Sequence, residues 1–201
     1  MKRFAATLAL LLATTGPALA HTPIAGIGSF YNGLLHPVLV PAHLLILVAT
    51  GLLLGQQATV LSRWGWGTFV AAFWIGLAAG QLVIPTVPAA ALLVVALTAG
   101  LLVAFRRPIG LPALAGLAAL GGFGMGLDSL PGSVSGRDTS LTLAGTAIGG
   151  VLLLSYAGGL ASRTPRAWHC IGVRIAGSWI AAAAGIVLAF TLTGIPVTGQ
   201  G

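Results

Sequence analysis

The stretch that decides the fold is residues 35–55, LHPVLVPAHLLILVATGLLLG. It contains no lysine, arginine, aspartate or glutamate, and its titratable side chains are the two histidines His36 and His43. A helix needs about 20 consecutive apolar residues to cross the hydrocarbon core of a bilayer, and this run has that length. We therefore predict that residues 35–55 form a transmembrane helix.

Five further apolar stretches follow, at approximately 66–84, 87–105, 109–127, 140–160 and 174–194. The chain is 57% hydrophobic and 5% charged. In soluble domains about a quarter of all residues are charged, because the surface faces water. The predicted fold is therefore an all-α, polytopic membrane helix bundle with about six transmembrane helices, forming a single domain over residues 21–201.

Residues 1–20 have the pattern of a cleavable signal peptide. Lys2 and Arg3 precede a short apolar segment, and residues 18–20 read Ala-Leu-Ala, which is typical of a cleavage site. The alternative is an uncleaved first transmembrane helix, which the shortness of the apolar segment disfavours. Cleavage would make His21 the N-terminus of the mature protein.

Arginine positions predict the topology. If His21 lies outside, the loops after the first, third and fifth spans are cytoplasmic, and most basic residues fall there, as the positive-inside rule requires. These residues are Arg63, Arg106, Arg107, Arg163, Arg166 and Arg174. We predict a multi-pass protein of the bacterial inner membrane with a periplasmic N-terminus. The net charge of +7 reflects this topology and not nucleic-acid binding, since no basic stripe interleaved with aromatic residues is present.

Residues for catalysis are scarce. Asp128 and Asp138 are the only acidic residues, and the sequence has no nucleophile–base pattern and no phosphate-binding loop. The single cysteine, Cys170, excludes an internal disulfide and a CxxC motif. The sequence therefore predicts that the protein is not an enzyme, and it identifies no bound cofactor.

The two histidines of the first span are the main candidates for function, because ionisable groups within a membrane are costly. Seven residues are almost two helical turns, so both rings lie on one face of a straight helix, about 10 Å apart. They share one ion only if Pro41 bends the helix; Pro37 is expected in the first helical turn. Neutral imidazole is a good ligand for nickel, copper and zinc. The alternative is that both histidines make hydrogen bonds between helices.

Two further residues are candidate metal ligands. A free N-terminal His21 offers its amine and ring nitrogen together, or it simply follows the signal without a role. Asp128 ends the fourth span on the same side and is either a ligand near the imidazoles or a loop residue before a turn. On the cytoplasmic side, His169 and Cys170 are either an exit-side ligand pair or part of a solvated loop.

Several of these motifs together resemble the HupE/UreJ family. They are the Ala20-His21-Thr22 at the end of the signal, Gly26-Ile27-Gly28, Gly33-x-x-His36-Pro37 and the His43-Leu44-Leu45 that opens a long apolar run. The resemblance also covers span count, topology and the Arg174-Ile175-Ala176-Gly177 that opens the last span. It implies a six-span membrane protein associated with hydrogenase or urease and regarded as a permease for nickel or a related metal.

The sequence departs from the family pattern H-P-x-x-G-x-D-H. Its glycine and aspartate positions are Val40 and Ala42 here, and the later histidine-rich motif corresponds to residues 123–128, which keep Asp128 but lack histidine. The expectation is a secondary permease for nickel, cobalt or copper with His21, His36, His43 and Asp128 as ligands, binding the ion less tightly.

Two alternatives stay open. One is an accessory membrane subunit that does not transport and binds a metalloenzyme-associated partner; the other is a periplasm-facing metal-binding protein centred on His21. The many small residues are compatible with a homo-oligomer in the lipid bilayer.

Overall fold

The computed structural model describes residues 26–82, 89–130, 136–163 and 167–193, and this part of the chain is entirely α-helical outside its turns. Each of the six predicted apolar stretches overlaps a helix, or a pair of helices in the first case. The helices are α1 (Gly28–Leu39), α2 (Pro41–Gly55), α3 (Thr59–Leu82), α4 (Ala89–Phe105), α5 (Leu111–Asp128), α6 (Arg137–Ser162) and α7 (Ala167–Thr193). The predicted all-α, polytopic membrane fold is confirmed.

Helix length and hydropathy indicate which of the helices can cross a membrane. Among the described residues, α5, α6 and α7 are long and apolar enough to cross a bilayer, and α1 with α2 makes a fourth crossing if the bent pair counts as one span. Helix α4 is apolar, but its 17 residues make it about 26 Å long, slightly less than a typical hydrocarbon core. Crossings by α3 and α4, and hence the full count of six, stay a prediction.

The first predicted span is broken and not straight. Val40 adopts an extended conformation (φ −90°, ψ 110°) between α1 and α2, and the two helices are bent by 71°. The cause is local, because the ring of Pro41 disfavours helical geometry in the residue before it and suits the first position of the helix that follows. The prediction for Pro37 was wrong: α1 begins at Gly28, so Pro37 lies inside this helix.

Helix α2 is the central element of the bundle. It packs against α4 and α6 and also touches α1, α3, α5 and α7. Leucine, isoleucine and alanine side chains all around it are buried, and a helix that is apolar on every side belongs in the middle of a membrane protein. Polar groups on α2 are therefore removed from lipid and from water alike.

Glycines bring the outer helices close to their neighbours. At Gly33 of α1 an added Cβ would clash with the backbone of Thr142 in α6, and at Gly145 of α6 it would clash with the carbonyl of Phe30. Close approach at small residues is the usual way in which membrane helices associate. At Gly116 and Gly159, by contrast, an added Cβ would meet nothing within 4 Å.

The two ends of the bundle differ chemically. At one end, α2, α4 and α6 finish near the start of α7, and Arg106 and Arg163 lie there. In the same region Arg174 donates a hydrogen bond from Nε to the carbonyl of Ala104 at 2.9 Å. His43 and Asp128 lie at the opposite end of the bundle, since α2 begins and α5 finishes there.

Candidate metal site

The break at Val40 brings His36 and His43 together. Their ring centroids are 5.1 Å apart, and the rings are tilted by 69° in an edge-to-face arrangement. On a straight helix the same residues would be about 10 Å apart along the axis. Of the two arrangements that the sequence allows, the structure therefore shows the convergent one.

Asp128 joins this pair from another helix. Its Oδ2 lies 2.9 Å from Nε2 of His43, although the two residues are 85 positions apart in sequence. The His43 side chain is fully buried, whereas that of Asp128 is 24% exposed. Asp128 is the last residue of α5, directly before a turn, and its carboxylate contacts a buried histidine.

A carboxylate at position 128 does not stabilise α5. The C-terminal end of a helix carries a partial negative charge, so a carboxylate there is unfavourable by about 0.3–1 kcal/mol. Capping of α5 is instead supplied by Ser129, whose backbone N–H reaches the carbonyl of Gly126 at 3.3 Å. The position of Asp128 is explained by its contact with His43.

The tautomer of His43 is assigned from this contact. An ionised carboxylate only accepts hydrogen bonds, so Nε2 of His43 carries the hydrogen, and in the neutral ring Nδ1 then carries the lone pair. Nδ1 is buried and has no hydrogen-bond partner in the part of the chain that the structure describes. Histidines that bind metals characteristically donate their other N–H to a carboxylate, which orients the ring and raises its basicity. Nδ1 of His43 is therefore the atom best prepared to bind a metal.

Two buried threonines of the bundle belong to no sequence motif, and the sequence analysis did not identify them. Thr146 of α6 is fully buried and donates a hydrogen bond to the carbonyl of Thr142 at 3.0 Å. Leu47 of α2 lies beside Gly150, so Thr146, one turn before Gly150, is at the depth of His43. The other is Thr50 of α2, which is 1% exposed. Only the three-dimensional packing distinguishes them from lipid-facing threonines.

Other candidate residues lie elsewhere. Asp138 accepts a hydrogen bond from Ser29 Oγ at 3.0 Å at the exposed start of α6. The His169 ring packs on Trp168 with centroids 3.7 Å apart, at the opposite end of the bundle from His43. His21 and the signal peptide lie outside the described residues, so cleavage after Ala20 stays a prediction.

The arrangement is not a complete metal cage. Within the described ranges, no group of three or more histidine, cysteine or acidic side chains is placed to hold one ion. Two imidazoles, one of them paired with a carboxylate, are fewer protein ligands than the four of a closed metal site. Such a site suits transient binding of a borderline transition metal.

Replacing Asp128 with asparagine is expected to lower metal affinity by about 10–100-fold, because outer ligands that orient a metal-binding histidine have effects of this size. The amide still fills the same space and can still accept the hydrogen bond from His43, so the fold should be retained. Isothermal titration of the purified protein with nickel measures the effect. Asp138→Asn is the matched control, since Asp138 accepts a hydrogen bond from Ser29 and pairs with no histidine among the described residues; equal affinities of the two variants would contradict the role of Asp128.

The chain was compared with models of known families. The family model described as HupE / UreJ protein matches residues 8–188, which is most of the chain and includes His36, His43 and Asp128. Searches with this chain found no matching curated protein and no matching solved structure.

Proposed function

We propose that this chain, which belongs to the HupE/UreJ family, is a secondary permease for nickel or a related divalent transition metal. Proteins of this family are membrane transporters or accessory proteins and not enzymes. The observation that carries the proposal is the geometry of His43, whose ring is oriented by Asp128 and whose Nδ1 is buried without a hydrogen-bond partner in the described chain.

In this proposal the ion enters from the periplasm. His36 and His43 bind it at the outer end of α2, and Asp128 orients His43 while its negative charge attracts the cation. His21 at the mature N-terminus delivers the ion to this pair. The arginines at the other end of the bundle support the orientation, because basic residues are concentrated on the cytoplasmic side.

A partial ligand set favours transport over storage. Conduction requires binding strong enough for entry and weak enough for release. The aspartate of the family motif is Ala42 here, and its side chain is buried, so one charged ligand is missing from the first span. The resulting lower affinity agrees with an ion that must leave again.

The test is the metal content of cells that express the chain. We expect selective accumulation of one metal among nickel, cobalt, copper and zinc, and we expect the His36→Ala/His43→Ala double variant to abolish it. Membrane abundance of each variant is measured by immunoblot. Wild-type protein present in the membrane without a change in any metal would contradict the proposal.

A second candidate function is that of an accessory membrane subunit without transport activity. The replacement of the motif aspartate by Ala42 favours it, because a charged ligand has been lost. It predicts unchanged metal content together with co-purification of a partner complex from mild detergent. A chain that accumulates metal and purifies alone would contradict this second function.

A further inference from the structure

Thr50 of α2 has a hydroxyl group that differs from those of most helical threonines in the described chain. Its Oγ1 is buried and makes no hydrogen bond within the described chain. Six other helical threonines each donate to the carbonyl four residues earlier, at 2.8–3.0 Å: Thr68, Thr98, Thr142, Thr146, Thr191 and Thr193. This local bond is the standard way to satisfy a threonine in a helix.

An unsatisfied hydroxyl inside a membrane bundle is unfavourable, because neither lipid nor apolar side chains replace the lost hydrogen bonds to water. Valine has almost the same shape and would fill the position without this penalty. Buried polar groups without protein partners in native proteins call for an explanation, such as bound water, a bound ion or a functional role.

The position of Thr50 connects it to the histidines. It follows His43 by seven residues, so it lies on the same face of α2, about 10 Å further along the axis. Ile46 and Leu54 flank Thr50 on this face; Ile46 packs beside Gly121 of α5, and Leu54 beside Gly65 of α3. The face therefore looks into the bundle and not toward lipid.

We propose that Thr50 is the next binding position for the metal ion beyond His43, on the same face of α2. Its hydroxyl oxygen contacts the ion or a water molecule that the ion carries. The inference rests on the proposed permease function and adds a residue and a direction to it.

The experiment compares Thr50→Val and Thr50→Ser with the wild type in proteoliposomes loaded with a nickel-sensitive dye. We expect Thr50→Val to slow nickel entry by about tenfold, corresponding to one lost polar contact, and Thr50→Ser to stay within about twofold, since it keeps the hydroxyl. Nickel affinity measured by titration should not change in either variant, because the pair His36 and His43 is intact. The melting temperature of Thr50→Val should equal or exceed that of the wild type.

The matched control is Thr98→Val, which removes an exposed hydroxyl that donates to Val94. Nickel entry in Thr50→Val at the wild-type rate would overturn the role of Thr50 while leaving the permease function in place. Slow entry in both Thr50 variants would also overturn it, since the hydroxyl would not be the cause. A wild-type chain that admits no nickel would overturn the permease function, and the inference with it.

Discussion

Metal uptake by His43→Ala should fall by at least about 100-fold relative to the wild type. In the proposed function the variant loses a ligand nitrogen, and even changes in outer ligands reduce affinity by about 10–100-fold. Asp128 also loses the imidazole 2.9 Å away, so the charge that attracted the cation is no longer connected to a ligand. Uptake of radioactive nickel into cells, normalised to protein in the membrane, measures this effect.

His43 is fully buried, so its removal also affects stability, and a second variant separates the two effects. His43→Gln keeps an N–H donor for Asp128 but replaces the imidazole nitrogen by a weaker amide oxygen ligand. We expect a normal melting temperature and an uptake almost as low as in His43→Ala. The matched control is His169→Ala, at the other end of the bundle, which should transport normally; uptake by His43→Gln at the wild-type rate would refute the assignment of His43.

Much of the fold follows from the sequence because the bilayer restricts the choice of structure. In hydrocarbon every backbone group must be satisfied within the chain, so a long apolar run is a helix. The break at Val40 has a local cause in Pro41, and the sequence allowed it as one of two arrangements. The central position of α2 did not follow, because all six stretches are similarly apolar and their order in space depends on packing.

The site could be predicted only in part. His36, His43 and Asp128 were candidates because ionisable groups in a membrane are rare, but the distance between His43 and Asp128 depends on how α2 and α5 pack. The roles of the two His43 nitrogens depend on that same contact. Thr50 gave no signal in the sequence, since an unsatisfied hydroxyl is recognised only once its neighbours are known.

The packing of α5 against α3 determines where Asp128 lies. At Gly122 an added Cβ would clash with the carbonyl oxygen of Phe69 and come within 3.1 Å of the backbone nitrogen of Phe73. One turn later, Gly126 packs in the same way on Phe73. These glycines let the two helix backbones approach closely, and α5 ends two residues later at Asp128.

Gly122→Ala is therefore expected to destabilise the protein by about 1–3 kcal/mol, the usual range for an overpacked interior. The atoms that the new methyl group would meet belong to the backbone of α3, which cannot rotate away as a flexible side chain can. Helix α5 must therefore move away from α3. The shift moves Asp128 away from His43, and nickel affinity should fall by about tenfold, the lower end of the range for an outer ligand. Melting temperature in detergent and nickel titration measure the two effects.

Gly116→Ala is the matched control on the same helix, because nothing lies within 4 Å of its added Cβ. Alanine is the better helix former by about 1 kcal/mol, so this variant should be as stable as the wild type or more stable. If both alanine variants melted alike, close packing at Gly122 would not matter. If Gly122→Ala lost stability but kept its nickel affinity, the contact between Asp128 and His43 would not depend on the α3–α5 packing, and the carboxylate would be held in place by its hydrogen bond alone.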